Sequence, residues 1–265
     1  MIKIENTEVN GWEPAIRGAR NPMNSWDKSD SKIFRGAYIV DGKPGLQLDY
    51  RNILDEQVKL TDEDKKILGP IIIGPNDLSL LMRLAKACSV EAKYRRMIVV
   101  YCDITAPLYW WKEFDTYKVG TVANSCSTMH KIHAKEFTLE DFSYEHLGYL
   151  DLDGTRNEDE QKKDNDIADA LYGMYPLDHL ANTIDLLNVS REMFIETKDK
   201  HYWWQMIQLL PSSYNQRRTV MMNYEVLTNI YKNRKDHKLD EWREFCEWIR
   251  KLPFSEIITL EEKNG

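Results

Sequence analysis

An apolar run that ends in a proline constrains the fold of this chain more than any other feature. The run MIVVYCDI, residues 97–104, is rich in β-branched side chains and nearly continuous in hydrophobicity. This pattern predicts a strand that is covered on both faces. Pro107 then ends the strand and begins a helix at its first position. Beyond that helix, as far as His130, the chain turns to small hydroxyl and amide residues.

The second half of the chain is predicted to be helical almost to its end. From Leu177 onward, apolar residues recur at spacings of three and four. The segments are LDHLANTIDLLNVSREMFIE, HYWWQMIQLL, SYNQRRTVMMNYEVLTNIYKNR and LDEWREFCEWIRKL. The first fifty residues instead carry short extended runs between turn formers, whereas TDEDKKIL and PNDLSLLMRLAKACS predict helices. The fold class is therefore α+β, with a mixed sheet packed against a helical C-terminal half.

The chain is predicted to form a single domain over residues 1–265. It shows no internal repeat and no shift in composition that would mark a boundary. Residues 151–169, DLDGTRNEDEQKKDNDIAD, are charged and nearly devoid of large apolar groups. This segment is predicted to be a flexible, solvated insertion.

Composition excludes several classes of function. A net charge of −7 disfavours binding to DNA or RNA, which depends on clustered cations. No run is long and apolar enough to span a membrane, and the N-terminus lacks a secretory signal, so we expect a cytoplasmic protein. No glycine-rich dinucleotide motif, phosphate-loop lysine or serine elbow occurs. The four cysteines are widely spaced and are expected to be reduced. The pair His130 and His133 lacks a third ligand, so we predict no metal site.

The C-terminal half resembles the flavin-dependent thymidylate synthases. In that family, a Leu-Pro leads through a helix that carries an Asn to an Arg, which is followed by an Asp-x-His-Ala-Gln type turn. Pro211, Asn223 and Arg234 fall at the family's intervals without a gap, and His237 follows one residue short of the usual spacing. The strand, Ala-Pro and helix at 97–114 also match, so the resemblance covers about residues 97–130 and 194–252.

The signature loop of that family reads Arg-His-Arg-x-x-Ser-x-Asn-x-x-Ser. With one inserted residue, the pattern falls here on Thr116, Tyr117, Lys118, Thr121, Asn124 and Ser127. The Arg-His-Arg triplet is thus not retained, and a lysine point charge replaces a bidentate guanidinium. Arg95 and Arg96, just before the strand, either restore that positive charge or form a solvated sheet edge.

The resemblance implies particular ligands and roles. The family binds FAD, dUMP, methylenetetrahydrofolate and NADPH, acts without a covalent enzyme nucleophile on the uracil, and forms homotetramers with active sites between subunits. Carried over residue by residue, it makes Arg234 both a catalytic and a nucleotide-binding residue. The other implied nucleotide contacts are Lys118, Thr121 and Ser127, and the implied flavin contacts are Asn223, His237 and Asn124.

Each of these positions also has a structural interpretation. A cation at the C-terminal end of a helix is favoured by the helix dipole, which accounts for Arg234 without a ligand. A partly buried amide such as Asn223 must find partners, either in neighbouring backbone or in a flavin. Thr121 and Ser127 either donate to a phosphate or cap helices. The aromatic triplets at 109–111 and 202–204 are interpreted as core and subunit-packing residues.

Three functional hypotheses are compatible with these residues. The first is an enzyme similar to the family, which methylates dUMP reductively. The second is a non-catalytic relative that keeps the fold and a nucleotide or flavin pocket for binding or assembly. The loss of the Arg-His-Arg triplet supports this hypothesis. The third is a helical interaction protein whose likeness to the family is accidental, and it predicts no ligand.

Overall fold

The computed structural model describes residues 2–33, 39–40, 43–44, 71–87 and 90–260. The helix predicted at 61–68, most of the N-terminal extended run at 38–50 and Cys88 lie outside the described residues. Within the described ranges, no helix is both long enough and apolar enough to cross a membrane.

The chain divides into two compact units. The first comprises Met1–Lys3, Thr105–Asp115 and Ser125–Arg218, and the second comprises Ile4–Ile104, Thr116–Asn124 and Thr219–Gly265. Each unit is built from several separate stretches of the chain. That the whole chain is a single domain stays a prediction.

The strands form one main sheet and two small ribbons. They are β1 (Lys3–Asn10), β2 (Lys32–Ile33), β3 (Ile39–Val40), β4 (Lys43–Pro44), β5 (Ile71–Ile72), β6 (Val99–Pro107), β7 (Thr121–Ser125) and β8 (Asn215–Asn223). The main sheet is antiparallel and has the strand order β1, β6, β8, β7. Strand β2 pairs with β5, and β3 pairs with β4, both antiparallel.

The helices occupy most of the second half of the chain. They are α1 (Trp12–Arg20), α2 (Pro75–Ala87), α3 (Leu108–Phe114), α4 (Glu158–Ala170), α5 (Pro176–Thr197), α6 (Lys200–Leu209), α7 (Tyr224–Arg234), α8 (Asp240–Arg250) and α9 (Glu256–Thr259). The helices predicted from PNDLSLLMRLAKACS, LDHLANTIDLLNVSREMFIE, HYWWQMIQLL and LDEWREFCEWIRKL are all present. Together with the sheet they confirm the α+β class.

The first unit has two aromatic and aliphatic clusters. Helix α3 contributes Trp110, Trp111 and Phe114, all fully buried, with the Trp110 and Phe114 rings stacked at 5.0 Å between centroids. These side chains are core residues, as their apolar surface predicts. The second cluster lies around α5 and α6 and is made of Ile132, Phe137, Phe142, Leu180, Ile184, Leu187 and Met206.

The second unit is centred on Tyr224, the first residue of α7. The Tyr224 side chain is fully buried, its ring lies 5.4 Å from that of Trp12, and its hydroxyl donates to the Pro253 carbonyl at 2.7 Å. Burial raises the pKa of Tyr224 well above 10, so the hydroxyl keeps its proton. Helix α8 packs its apolar stripe, which includes Trp242 and Phe245, into the same unit.

A buried ion pair joins α1 to α2 in this unit. The Arg20 Nε lies 2.5 Å from a carboxylate oxygen of Asp77, which is fully buried. The hydroxyls of Ser29 and Ser31 donate to the other carboxylate oxygen at 2.7 and 2.6 Å, and the Ser31 backbone N–H donates at 3.0 Å. Hydrogen bonds from neutral groups thus complete the pair, as a buried charge requires.

The structure corrects the prediction for strand β6. Val100, Cys102 and Ile104 are buried, whereas Tyr101 between them has 43% of its surface exposed. Coverage of both faces is therefore wrong for this strand. It belongs to an antiparallel sheet, in which one face packs on a core while side chains of the other face reach solvent. Pro107 lies at the position just before the first residue of α3 and not at that first residue.

The helix predicted over 213–234 is wrong in its first half. Residues Asn215–Asn223 form β8, and only from Tyr224 does the chain become helical. In β8 the side chains of Gln216, Val220 and Met222 are buried, and their intervals of four and two residues put them on one face of the strand. The strand lies between β6 and β7, and pairing with both neighbours overrides a local pattern that suits a helix equally well.

The predicted loop at 151–169 is also corrected, because its second part forms helix α4. The Asn157 side chain accepts from the Asp159 N–H at 2.8 Å and caps the helix. Arg156 pairs with Asp164, and acidic residues fill the first turn, where the helix dipole favours them. Capping and ion pairing thus give a helix to a segment that has few apolar residues.

Candidate functional site

Arg234, the last residue of α7, lies among three rings. Its Nε donates to the Tyr117 hydroxyl oxygen at 2.9 Å, and its Nη1 lies 2.9 Å from Nε2 of His237. The guanidinium carbon lies 4.8 Å from the centroid of the Trp242 ring and 5.7 Å from that of Tyr117. A planar guanidinium suits this surrounding, because it stacks on rings while donating in its own plane.

His237 supports this arrangement from the turn after α7. Arginine can only donate hydrogen bonds, so Nε2 of His237 is the acceptor in the contact with Arg234. The backbone N–H of Leu239 lies 3.2 Å from Nδ1. A neutral imidazole accepts at only one ring nitrogen, so the Leu239 N–H does not donate to Nδ1 while Nε2 accepts from Arg234. The geometry gives His237 a role in holding Arg234, and its implied contact with a flavin stays a prediction.

The sequence predicted that Asn223 lies within a helix, but in the structure it is the residue just before α7. Its side-chain oxygen accepts from the Val226 N–H at 2.9 Å and caps the helix. Its backbone N–H donates to the Gly120 carbonyl at 3.1 Å. Among the described residues, the side-chain nitrogen of Asn223 has no hydrogen-bond partner. That amide nitrogen is a donor at the edge of the same short loop that carries Tyr117.

Gly120 allows this loop to approach Asn223. Its φ is +82°, and a Cβ at this position would lie 2.5 Å from the Asn223 side-chain nitrogen. Next to it, the Thr121 hydroxyl is buried and finds no partner among the residues that the structure describes. Thr121 belongs to β7 and so does not cap a helix. Two polar groups without partners thus lie on neighbouring parts of this unit.

The other residues carried over from the family are placed differently. Lys118 and Asn124 are exposed, and neither side chain makes a hydrogen bond with any described residue. Ser127 belongs to the first unit, where its hydroxyl accepts from the His130 backbone N–H at 2.9 Å. The structure therefore brings Tyr117 and Arg234 together, and it places Asn223 in the same unit at the opposite end of α7. The side chains of Lys118 and Asn124 are exposed.

Arg95 does not restore the lost positive charge. It is only 4% exposed, and its guanidinium contacts Glu225 at 3.0 Å, Thr228 at 3.2 Å and the Ile257 carbonyl at 3.1 Å. Its charge is balanced by Glu225 inside the second unit, so it is neither a solvated edge nor a spare cation. Arg96 is exposed.

The buried cysteines are not nucleophiles. Burial raises the pKa of Cys102 and of Cys246 to about 12, so both remain thiols at neutral pH. Across the ranges that the structure describes, no group of three or more His, Cys, Asp or Glu side chains is arranged to hold a metal ion.

Comparison with solved structures identifies the fold. The chain is similar to the flavin-dependent thymidylate synthase ThyX from Helicobacter pylori complexed with FAD and dUMP, with a TM-score of 0.55 and 13% identity. The match covers 97% of this chain and 98% of that one. The chain has the flavin-dependent thymidylate synthase fold. The fold predicted from the motifs is thereby confirmed.

Two further solved structures share this fold. Another structure of ThyX from Helicobacter pylori, with FAD and dUMP, gives a TM-score of 0.55 and 12% identity over 98% of both chains. The UMP/dUMP methylase PolB from Streptomyces cacaoi, bound with 5-Br dUMP, gives 0.51 and 11% over 98% of this chain and 95% of that one. No protein-family profile and no curated protein sequence matches the chain. The likeness therefore resides in the fold and in a few spaced residues.

Sequence reasoning missed two residues of this site in the thymidylate synthase-like fold. Trp242 supports Arg234, yet in the sequence it is one of several apolar positions in α8. Gly120 makes the close approach to Asn223, and its only sequence signal is a glycine just before a strand. Both act through contacts between segments distant in the chain or in different elements, which no local pattern reports.

The close approach at Gly120 leads to a testable prediction. We expect Gly120→Ala to lower the free energy of unfolding by more than the about 1–2 kcal/mol that a left-handed alanine costs, because the methyl group also displaces the Asn223 side chain. Gly154→Ala is the matched control, since Gly154 has φ +64° and nothing within 4 Å of an added Cβ. Urea unfolding of both variants measures the difference. If Gly120→Ala and Gly154→Ala lower the free energy of unfolding equally, displacing the Asn223 side chain has no energetic cost.

Proposed function

We propose that this chain is a divergent flavin-dependent thymidylate synthase-like enzyme, which methylates dUMP reductively with FAD, methylenetetrahydrofolate and NADPH. One observation carries the proposal. Asn223 and Arg234, carried over from the family's sequence pattern, lie at the two ends of α7, and both contact the short loop that takes the place of the signature loop. Solved proteins of this fold bind FAD and dUMP.

The residues present fit a flavin. The Asn223 side-chain nitrogen lacks a hydrogen-bond partner among the described residues, and the absence of a side chain at Gly120 lets the loop backbone pack directly against the Asn223 amide. An amide donor at the edge of a loop suits a carbonyl oxygen of the flavin ring. Asn124, in the adjoining strand β7, is an exposed second amide. When bound, the flavin supplies hydride transfer between NADPH and the pyrimidine, while the protein orients the rings.

Arg234 is the residue we assign to the nucleotide. Its guanidinium is always charged and is held by Tyr117, His237 and Trp242, so its direction is fixed before a ligand arrives. A fixed cation offsets negative charge on dUMP without loss of side-chain entropy on binding. Thr121, Ser127 and the exposed Lys118 are the further nucleotide contacts that this proposal includes.

A second candidate function is a non-catalytic protein that binds nucleotide or flavin. The replacement of the family's Arg-His-Arg triplet by Thr116, Tyr117 and Lys118 favours this candidate, because Tyr117 is hydrogen-bonded to Arg234 and Lys118 is exposed. This side of the site therefore has one exposed lysine where the family has two arginines. The shared fold counts against the accidental likeness on which the third hypothesis rests.

The proposal includes a homotetramer in the cytoplasm. Helix α5 supports self-association, since Leu186 and Val189, one turn apart, have 56% and 57% of their surfaces exposed. Apolar side chains on the outer face of a long helix are typical of subunit interfaces. Sedimentation velocity at micromolar concentration tests this, and a single species of monomer mass would contradict it.

The deciding experiment separates binding from turnover. We expect the purified protein to bind FAD, seen as quenching of flavin fluorescence, and dUMP, seen by calorimetry. We then expect NADPH oxidation that depends on dUMP and methylenetetrahydrofolate and yields dTMP. Binding without turnover would select the non-catalytic candidate. Binding of neither ligand would contradict both candidates.

A further inference from the structure

We propose that Tyr117 is a second nucleotide-binding group, whose hydroxyl donates a hydrogen bond to an acceptor oxygen of the nucleotide beside Arg234. This inference rests on the proposed function and deepens it. In the family pattern this position is a His, and the chain carries a phenol there instead. The role of this phenol depends on the direction of one hydrogen bond.

The direction of the contact with Arg234 is fixed by chemistry. A guanidinium has donors only, so Nε of Arg234 donates and the hydroxyl oxygen of Tyr117 accepts at 2.9 Å. The phenol proton must therefore point elsewhere. Within the described part of the chain, no residue accepts it. The hydroxyl is thus a donor whose partner is not supplied by the described protein groups around it.

The ring of Tyr117 is held in place. Its centroid lies 6.0 Å from that of Trp242, at an interplanar angle of 64°, and Trp242 is fully buried. Arg234 stacks on the same Trp242 ring at 4.8 Å. One buried ring therefore supports both the phenol and the guanidinium, so two donors of different charge are presented side by side.

Accepting from a cation makes the hydroxyl a better donor. The guanidinium withdraws electron density from the phenol oxygen, and hydrogen bonds in a chain strengthen one another. A cation next to a neutral donor suits an oxygen that carries full or partial negative charge, which in a pyrimidine nucleotide is a phosphate or a ring carbonyl oxygen. Both sources share this chemistry, and the experiment distinguishes them.

The test begins with Tyr117→Phe, which removes the hydroxyl and keeps the ring. We expect dUMP affinity, measured by calorimetry, to fall about threefold to tenfold, the usual range for one net hydrogen bond. The thermal unfolding midpoint monitors folding. If Tyr117→Phe binds dUMP as tightly as the wild type, the inference is wrong although the proposed function stands. If the wild type binds no dUMP, both are wrong.

A second background separates direct contact from mere support of Arg234. In Arg234→Lys the charge is kept but the Nε donor to Tyr117 is lost. If Tyr117 only supports the guanidinium, Tyr117→Phe causes no further loss of affinity in that background, and the inference is overturned. If Tyr117 donates to the nucleotide, a further loss of at least about twofold persists. Deoxyuridine, which lacks the phosphate, identifies the acceptor. If Tyr117→Phe binds deoxyuridine as tightly as the wild type does, the acceptor is a phosphate oxygen. If it loses as much affinity for deoxyuridine as for dUMP, the acceptor is a ring oxygen.

Discussion

Replacing Arg234 by alanine is expected to weaken dUMP binding by at least about thirtyfold, which corresponds to the lower end of about 2–5 kcal/mol for truncating a charged partner in a desolvated site. The guanidinium is held by Tyr117, His237 and Trp242, so it is positioned before a ligand arrives, and alanine removes both its charge and its donors. Calorimetric titration of dUMP measures the loss. Circular dichroism shows whether the variant remains folded, since the same contacts also tie α7 to its neighbours.

Lys118→Ala is the matched control for this change. Lys118 is exposed and makes no hydrogen bond or ion pair with a described residue. An exposed, flexible cation contributes little, so we expect a loss of less than about fivefold. If the wild type binds dUMP and Arg234→Ala binds it equally well, the transfer from the family pattern is wrong. Arg234 is then explained by its place at the C-terminal end of α7.

Replacing Asp77 by alanine is expected to lower the free energy of unfolding by about 3–5 kcal/mol at neutral pH. The change leaves the charge of Arg20, which is 4% exposed, without its counterion. Urea unfolding measures the effect. Asp27→Ala, a change of the same kind at an exposed position, should remain within about 0.5 kcal/mol of the wild type. An Asp77→Ala effect as small as that would show that water enters and solvates Arg20.

The contribution of Asp77 also depends on pH. Burial by itself raises the pKa of Asp77, but hydrogen bonds from Ser31, Ser29 and Arg20 outweigh it and hold the pKa below 3.8. Because its pKa is lower in the folded state, Asp77 stabilises the protein at pH values above 3.8. This stabilisation is lost as the pH falls through the folded-state pKa. The difference between the wild type and Asp77→Asn should therefore be constant from about pH 5 to pH 7 and shrink below about pH 4. A difference that grows in acid would contradict this assignment.

The sequence was a good guide wherever a pattern is local. The apolar spacing of α8 predicted its buried face, and Trp242, Phe245 and Ile249 are indeed buried. The helix predicted to carry Arg234 is present as α7 and ends at that residue, whereas Asn223, predicted on the same helix, is the last residue of β8. The Tyr-Trp-Trp run at 109–111 was correctly assigned to packing, since Trp110 and Trp111 are core residues.

It failed where a partner distant in the chain decides. Strand β8 was predicted as helix because its apolar residues suit either period, and only the flanking strands β6 and β7 select the extended form. Arg95 was assigned to a solvated edge or to the ligand site, yet Glu225, 130 positions away, pairs with it inside the second unit. The contact of Tyr117 with Arg234 spans 117 positions. No local pattern contains such information.

The direct passage from β8 into α7 limits how this part of the gene can vary in length. Asn223 ends the strand and Tyr224 starts the helix, with no loop between them. Each residue inserted into or deleted from α7 would turn its last position by about 100° around the helix axis, and carry Arg234 away from Trp242. Each residue inserted into β8 would exchange its buried and exposed faces. Insertions and deletions between Asn215 and Arg234 should therefore be selected against, whereas the edge strand β7 has accommodated one extra residue, between Thr121 and Asn124, relative to the family pattern.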